Sequence, residues 1–312
     1  MERRYPLILN PRARSERAQG ALRFVMEHAT RFAIYASNSP EEAGELAGRF
    51  AKEGESVVVA AGGDGTLNAV VRGLVGTETI LGILPTGTMN VFAREMNIPF
   101  DDLRRALEVI DGGHVEEVDL FELNGTPFVQ MAGVGFDAQV IEETSPDAKR
   151  RLGPLAYLLS AVKVLGATPP HMTVRFDEGQ VARGACILLG NGALYGGQFR
   201  IFRRADNADD LLDVVVFKEA GYKLVMESLS GLARGGFQEE GPGTVEYFQS
   251  SGLRVDSDRE VPVEVDGEFW GRSGSATIKA SERKLRVLAP AEPGRNWWEQ
   301  VLAGLAAWGE GR

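Results

Sequence analysis

Cysteine, histidine and basic side chains are scarce in this chain of 312 residues. It has 1 cysteine and 3 histidines, and 44 acidic against 34 basic side chains give a formal net charge of −10. A single cysteine excludes an internal disulfide, and the apolar run around Cys186 predicts a buried thiol in a reducing compartment. His28, His114 and His171 show no metal-ligand spacing, so histidine-based metal chemistry is not expected.

The lack of a basic excess and of a long apolar run excludes two further classes of protein. The acidic excess argues against a general nucleic-acid binder, because neutralising phosphates requires a basic face. No apolar run approaches the roughly 20 residues of a membrane-spanning helix, and Asn10 and Pro11 end the first apolar run too early for a cleavable signal. We therefore expect a cytoplasmic protein with, at most, peripheral contact at the inner membrane surface. The oligomeric state stays open, with a homo-oligomer among the alternatives.

The first 125 residues alternate apolar strand patterns with amphipathic helix patterns. Runs such as YPLIL, SVVVAA and ILGILP are typical of strands that are covered on both faces. Ser39, Pro40 and Glu42 supply the N-cap, the first-turn proline and the capping acid of one intervening helix. This alternation predicts an α/β nucleotide-binding domain over residues 1–125, built on a parallel sheet.

From about residue 126 onward, short alternating runs such as LLDVVVF and VPVEVDGEFW dominate. They predict an antiparallel β-sandwich domain over residues 126–288, with helices near 152–165 and 221–234. The C-terminal segment 289–312 is expected to pack back on the first domain. A membrane-surface helix is the alternative there, but its polar face lacks the lysines and arginines that such helices use.

The stretch GGDGTLN, residues 62–68, lies between a predicted strand and a predicted helix. A bare glycine turn at that point aims backbone N–H groups and the positive end of the helix dipole at one spot, which favours a phosphate. Asp64 is unexpected there because its charge repels phosphate, unless Mg²⁺ intervenes or the carboxylate serves as a base near the transferred group. The alternative is a plain turn whose residues serve geometry only.

A second polar glycine turn follows the next strand, in the stretch ILPTGTMNVFARE. Thr86, Gly87, Thr88 and Asn90 offer hydroxyl groups, an amide and an open backbone. Because ligands of open α/β sheets bind at the carboxyl ends of the strands, we expect both turns to face the same crevice.

The pair GGDGTLN and PTGTMNVFAR resembles the diacylglycerol kinase catalytic family, the bacterial lipid kinases related to sphingosine and ceramide kinases. Further matches occur in order between residue 7 and about residue 270: ILNPRA, VDLFELNG, FVQMAGVGFDAQV, GNGALYGGQF and VEVDGEFW. The resemblance implies a two-domain kinase with ATP in the interdomain cleft and the lipid in the β-rich domain. The nucleotide contacts that it implies are Asn10, Ser37, Gly62, Gly63, Asp64, Gly65, Thr66, Leu67, Asn68, Gly87, Thr88 and Asn90.

The resemblance also implies a general base at Glu268 in the stretch VDGE. A lipid hydroxyl must lose its proton as it attacks the γ-phosphoryl group, and a positioned carboxylate is a suitable acceptor. The preceding Asp266 and Gly267 are in addition a strong signal for a tight hairpin turn. Such a turn can aim Glu268 across the cleft, with Asp64 as its catalytic partner through Mg²⁺ or by orienting the hydroxyl.

An ancillary Mg²⁺ site is implied on the loop ADNADDLLD. Its ligands would be the Asp209 carboxylate and the backbone carbonyls near Asp206 and Leu211. Asp210 replaces the family's glycine, which puts the loop geometry in question, and an acidic solvated turn is the alternative. Asp119 is expected to join a metal–water network or else to be a structural acid at a strand end.

We therefore predict an ATP- and Mg²⁺-dependent kinase that phosphorylates the hydroxyl of a diacylglycerol-like or other long-chain lipid alcohol. One alternative is an NAD kinase, which shares the GGDGT turn. Another is a nucleotide-responsive lipid-binding protein without catalysis, since Val91 stands where many bacterial members have aspartate. The basic clusters Lys149–Arg151 and Arg200–Arg204 are expected to be solvated, or alternatively to contact anionic lipid headgroups.

Overall fold

The computed structural model describes residues 4–11, 16–143, 169–195, 197, 199–219, 236–237 and 244–291. The helices expected near 152–165 and 221–234, the basic cluster at 149–151 and the C-terminal segment from residue 292 lie outside these residues. Within the described residues, no helix combines the length and the apolar character needed to cross a bilayer.

Strands and helices alternate in the first part of the chain. The strands are β1 (Tyr5–Leu9), β2 (Phe32–Ala36), β3 (Val57–Gly62), β4 (Ile80–Pro85) and β5 (Val115–Val118). The helices are α1 (Glu16–Glu27), α2 (Pro40–Lys52), α3 (Asp64–Leu74), α4 (Val91–Glu95) and α5 (Leu103–Gly112).

Strands dominate the rest of the described chain. They are β6 (Phe121–Leu123), β7 (Thr126–Phe128), β8 (Met131–Gly135), β9 (Met172–Phe176), β10 (Val181–Gly184), β11 (Cys186–Gly190), β12 (Leu194–Tyr195), β13 (Phe199–Arg200), β14 (Leu212–Phe217), β15 (Val245–Ser250), β16 (Gly252–Val265), β17 (Glu268–Ala280) and β18 (Leu285–Leu288). Helix α6 (Phe136–Glu143) follows β8.

The first sheet has the strand order β2-β1-β3-β4-β18-β5. Strands β1 to β4 are parallel, as the continuous apolar runs predicted, and β5 pairs antiparallel to β18. The chain winds from β1 outward to β2 and then back across to β3, so the order reverses between β1 and β3. A reversal of this kind opens a crevice at the carboxyl ends of the two strands.

Helices α2 and α3 pack against each other at very short range. A Cβ atom on Gly73 would overlap the carbonyl oxygen of Gly44 and would lie 3.0 Å from the Gly48 nitrogen. The predicted N-cap of α2 is present, since the Ser39 hydroxyl accepts from the Glu42 N–H at 3.2 Å. This close packing fixes the position of α3, whose first turn carries the GGDGTLN motif.

The second sheet is antiparallel, with the main order β15-β14-β11-β8-β16-β17-β6-β7 and the pair β9–β10 joined to β16. Its core consists of buried aromatic and β-branched side chains, among them Phe121, Val134 and Val263. Cys186 is 2% exposed, which confirms the prediction of a buried thiol. The predicted fold class, α/β plus an antiparallel β domain, is confirmed.

The chain crosses between the sheets twice in the described residues. It leaves the first sheet after β5, which ends at Val118, and enters the second at β6, which begins at Phe121. It returns with β18, which pairs with both β4 and β5. The domain boundaries proposed at residues 125 and 288 stay predictions, while the strand pairing places the crossings a few residues earlier.

Candidate functional site

Four strand ends meet at one edge of the first sheet, and each carries predicted site residues. Asn10 follows β1 and Ser37 follows β2, while the two glycine turns follow β3 and β4. The Ser37 side chain is buried, and its N–H donates to the Leu9 carbonyl at 2.9 Å. The parallel topology therefore brings together residues that are up to 80 positions apart in the sequence (from Asn10 to Asn90).

The two glycine turns touch each other through their backbones. The Thr86 N–H donates to the Gly62 carbonyl at 2.9 Å, and this extends the pairing of β3 and β4 into the turns. A Cβ on Gly63 would lie 3.0 Å from the Gly87 Cα, and one on Gly87 would overlap the Gly63 Cα. Since Gly63 is the N-cap of α3, no N-cap side chain occupies the N–H groups at the start of that helix. The result is a bare backbone surface of the kind that binds phosphate.

Asn90 closes the second turn on itself. Its Oδ1 accepts from the Gly87 N–H at 3.0 Å, and its Nδ2 donates to the Gly87 carbonyl at 2.9 Å. Asn90 has φ 49°, a left-handed conformation that asparagine adopts more readily than most residues. This residue is 3% exposed, so its amide stabilises the turn from inside.

Asp64 points from the first turn toward the second. Its Oδ1 accepts from the Val91 N–H at 2.7 Å, at the first residue of α4. Burial raises the pKa of the Asp64 carboxyl, while the N–H groups of Asn90, Val91 and Phe92 oppose that rise. The positive end of α4 therefore explains how an aspartate is accommodated in this turn. Val91 contributes through its main chain, so the missing aspartate at that position does not break the link to Asp64.

The remaining residues of the two motifs differ in solvent exposure and in the contacts that they make. Thr88 is exposed, and Thr66 packs against Gly62, where a Cβ would overlap it. Leu67 is 5% exposed and its N–H donates to the Gly63 carbonyl at 3.0 Å. Asn68 is 4% exposed and its Nδ2 donates to a carbonyl of the second sheet at 3.2 Å. Nucleotide contacts from these four residues stay a prediction.

The tip of the β16–β17 hairpin lies against helix α3. Asp266 has φ 50° and Gly267 has φ 78°, the two positive values of a type I′ turn, as the Asp-Gly pair predicted. The Asp266 carboxylate accepts from the N–H groups of Val129, Gln130 and Met131 at 3.2, 2.9 and 3.1 Å. Burial raises the pKa of Asp266 to about 6, although these donors lower it. The tip is therefore anchored to the segment that enters β8.

Glu268, the first residue of β17, places its carboxylate against the first turn of α3. A Cβ on Gly65 would lie 3.3 Å from Glu268 Oε1. Glu268 Oε2 is 3.2 Å from Arg72 Nη2, and the Glu268 side chain is 43% exposed. The predicted base and the predicted phosphate turn are thus adjacent, although 200 positions separate them (from Asn68 to Glu268).

Arg72 was missed in the sequence analysis. Gly65, Asn68 and Arg72 are three and four positions apart, so they share one face of α3. Asn68 donates to the Asp266 carbonyl, and Arg72 pairs with Glu268. The detectable signal was therefore the polar pair Asn68 and Arg72, four positions apart on a helix that otherwise buries apolar side chains from Leu67 to Leu74.

The loop before β14 keeps its turn geometry without the family's glycine. Asp210 has φ 62°, the left-handed conformation that glycine adopts most easily. Asp206 Oδ1 accepts from the Ala208 N–H at 3.1 Å, and Asp209 Oδ1 accepts from the Leu211 N–H at 3.0 Å. Both carboxylates therefore accept hydrogen bonds from the backbone of their own loop.

A lysine, which the sequence analysis did not identify, lies between two acids beside this loop. Lys284 Nζ is 2.7 Å from Asp119 Oδ1 and 3.0 Å from Asp210 Oδ1. Asp119 is 3% exposed, and burial raises its pKa although Lys284 lowers it. In the part of the chain that the structure describes, no group of three or more His, Cys, Asp or Glu side chains could hold a metal ion. Of the predicted metal ligands, Asp119 is therefore paired with an ammonium group, while the carboxylates of Asp206 and Asp209 accept N–H groups of their own loop. Metal binding by Asp206, Asp209, Leu211 and Asp119 stays a prediction.

Asp213, in β14, is a buried acid beneath the same loop. It is fully buried, and it accepts from the Tyr247 hydroxyl and from Gln249 Nε2. Burial raises the pKa of Asp213 from 3.8 to about 6. The folded protein therefore holds a proton that the unfolded chain releases, and the stability that this proton contributes is lost as the pH rises through about 6.

Asp213→Asn is expected to remove that pH dependence. The difference in unfolding free energy between wild type and variant should change by about 1 kcal/mol between pH 5 and pH 7, since each pKa unit is worth about 1.4 kcal/mol. Urea unfolding at the two pH values measures it, with Asp101→Asn as a surface control. An unchanged pH slope in the Asp213 variant would refute the assignment.

Both halves of the chain match known protein families. Residues 4–123 match the diacylglycerol kinase catalytic domain, and residues 130–289 match the YegS C-terminal NAD kinase beta sandwich-like domain. A diacylglycerol kinase of Staphylococcus carnosus (strain TM300) is 30% identical over 284 residues, which are 87% of this chain and 90% of that protein. One from Staphylococcus aureus (strain MRSA252) is 29% identical over 299 residues, 93% of each chain.

Solved structures share the fold. A diacylglycerol kinase from Bacillus anthracis str. Sterne superposes with a TM-score of 0.74 at 22% identity, covering 92% of this chain and 97% of that one. An NAD kinase from Archaeoglobus fulgidus in complex with ATP superposes with a TM-score of 0.52 at 14% identity, covering 96% and 99%. At these identities the structures support the fold alone, and the NAD kinase is the more distant of the two.

Proposed function

We propose that this chain, which belongs to the diacylglycerol kinase catalytic domain family and is a lipid kinase, transfers the γ-phosphoryl group of ATP to the hydroxyl of diacylglycerol or another long-chain lipid alcohol. The observation that carries the proposal is the position of Glu268. A carboxylate from the second sheet lies against a bare glycine turn at the start of α3. A base beside a phosphate turn is the arrangement that transfer to a hydroxyl requires.

The backbone of the two turns suits a polyphosphate. Gly63 and Gly87 are in van der Waals contact, so a side chain at either position would fill or distort the surface. Asn10 and Ser37, at the neighbouring strand ends, would hold the rest of the nucleotide. ATP supplies the phosphoryl group when it is bound, together with the Mg²⁺ that offsets its charge. Here we expect Mg²⁺ to enter with the nucleotide.

The reaction steps follow from the residues at the hairpin tip. The lipid hydroxyl oxygen would form a bond to phosphorus while its O–H bond breaks, and the Glu268 carboxylate would accept the proton. The bond from phosphorus to the leaving ADP oxygen breaks in the same transfer. The Asp266 anchor and the Arg72 contact hold Glu268 close to α3, which removes part of the entropic cost of positioning the base.

Phosphoryl transfer from radiolabelled ATP tests the proposal directly. Diacylglycerol, monoacylglycerol, sphingosine and ceramide in mixed micelles would be compared with NAD as acceptors, all with Mg²⁺. We expect a labelled lipid and no labelled NADP. A preference for NAD of at least about tenfold in kcat/KM would instead identify an NAD kinase. ATP binding without any labelled acceptor would favour the lipid-binding alternative that has lost catalysis.

Arg72→Met is expected to lower kcat for the lipid by about 10- to 100-fold while leaving the KM for ATP unchanged, because it releases the carboxylate that Arg72 positions. Arg72→Lys, which keeps the charge, should recover part of the rate. Steady-state kinetics on the preferred lipid measure both effects, with the exposed Arg104→Met on α5 as a control. A wild-type kcat in Arg72→Met would show that Glu268 is positioned without it.

A further inference from the structure

Asp119 lies where the chain first crosses between the sheets. It occupies the short connection from β5 to β6, and its main-chain N–H donates to the Asn207 carbonyl at 2.8 Å. Its carbonyl accepts from Asn191 Nδ2 at 2.8 Å, and Asn191 is fully buried. Its Oδ2 accepts from the Asp210 N–H at 2.6 Å. This one residue therefore connects the first crossing to the loop before β14.

Lys284 lies at the second crossing. It is the residue before β18, the strand with which the chain returns to the first sheet. Its ammonium group reaches Asp119 at 2.7 Å and Asp210 at 3.0 Å. The ion pair thus joins both crossings and the loop.

We infer that Lys284 is a built-in cation that takes the place of a divalent metal ion at this loop. The carboxylates of Asp119 and Asp210 that face it provide its counter-charges. The carboxylates of Asp206 and Asp209 accept N–H groups within their own loop. Asp213, beneath the loop, and Arg204 are further charged groups near these four acids and the lysine.

A bound Mg²⁺ would conflict with this lysine. Magnesium binds oxygen ligands at about 2.0–2.1 Å and requires nearly ideal octahedral geometry. An ion on Asp119 Oδ1 would stand beside an ammonium group that is already 2.7 Å from the same oxygen. The repulsion between the two cations would be strong in a partly buried setting. The lysine and a metal ion are therefore mutually exclusive partners of Asp119.

Thermal unfolding without nucleotide tests the inference, independently of any kinase activity. The wild-type melting temperature should be the same in excess EDTA and in millimolar MgCl₂. Lys284→Met should melt lower by about 5 °C or more, because it leaves Asp119 buried without its cation, and Mg²⁺ should then raise its melting temperature. Lys284→Arg should stay close to wild type. Lys279→Met removes an exposed lysine that pairs with Glu122 at 3.3 Å, and it should have little effect.

Electron paramagnetic resonance of Mn²⁺ supplies a second readout that does not depend on how the variants fold. Nucleotide-free wild type should leave all the Mn²⁺ free in solution. One tightly bound Mn²⁺ per chain, or a wild-type melting temperature that falls by about 5 °C in EDTA, would overturn the inference. A Lys284→Met variant that melts like the wild type would also overturn it. Because none of these readouts uses a lipid or ATP, the inference and the proposed function can fail separately.

Discussion

Glu268→Gln is expected to lower kcat for the lipid acceptor by about 10²- to 10⁴-fold, the contribution typical of a general base. The amide keeps the size of the side chain but cannot accept the hydroxyl proton. Since Glu268 belongs to the hairpin tip and not to the glycine turns, the affinity for ATP should change little. Steady-state kinetics with the preferred lipid, together with an equilibrium measurement of ATP binding, separate the two effects.

The matched control for this variant is Glu260→Gln. Glu260 lies on β16 of the same hairpin and is exposed, and we place it outside the crevice. It should keep wild-type kcat and wild-type stability. If Glu268→Gln turns over as fast as Glu260→Gln, then Glu268 is not the base, and the proton must leave by another route such as solvent.

Gly87→Ala is expected to damage the nucleotide site strongly. Its Cβ would overlap the Gly63 Cα and would lie 2.7 Å from Asn90 Oδ1, the atom that accepts the Gly87 N–H. Overpacking of this kind costs about 1–3 kcal/mol of unfolding free energy. Because the two turns would be forced apart, kcat/KM for ATP should fall by about 100-fold or more. Urea unfolding and ATP titration of the initial rate measure these effects.

Gly112→Ala is the corresponding control. This glycine ends α5, and an added Cβ meets no heavy atom within 4 Å. Alanine is a better helix former than glycine, so the variant should be as stable as the wild type or slightly more stable. Identical ATP kinetics for Gly87→Ala and Gly112→Ala would show that contact between the two turns is not required for nucleotide use.

The periodic patterns predicted the architecture well. Buried parallel strands need apolar residues at every position, and antiparallel strands alternate, so the change near residue 126 was visible in the sequence. The hairpin at Asp266 and Gly267 was predictable for a local reason, since both residues must adopt positive φ. The crossings between the sheets were not visible in the sequence, because the short connection at Leu120 carries no glycine or proline signal and β18 looks like any other apolar strand.

The contacts of Lys284 show what a local motif leaves out. The loop residues 206–211 contain the acids that a Mg²⁺ site would use, but the sequence carries no indication that Lys284 approaches them. Arg72 was overlooked for the same reason, since its partner Glu268 is 196 positions away. Ion pairs between residues so far apart in the sequence depend on how the two sheets lie relative to each other. A pattern within a short stretch of sequence does not encode that arrangement.

By itself, the sequence determined the two kinds of sheet, the bare glycine turns after β3 and β4, and the family to which the chain is related. These features follow from side-chain periodicity and from backbone angles that only a few residues adopt. Only the tertiary structure decided that Glu268 lies against Gly65, that Asp64 accepts from the start of α4, and that Lys284 lies between Asp119 and Asp210. The Asp64 contact forms when β3 and β4 pair in the first sheet, and the contacts of Glu268 and Lys284 join segments far apart in the chain.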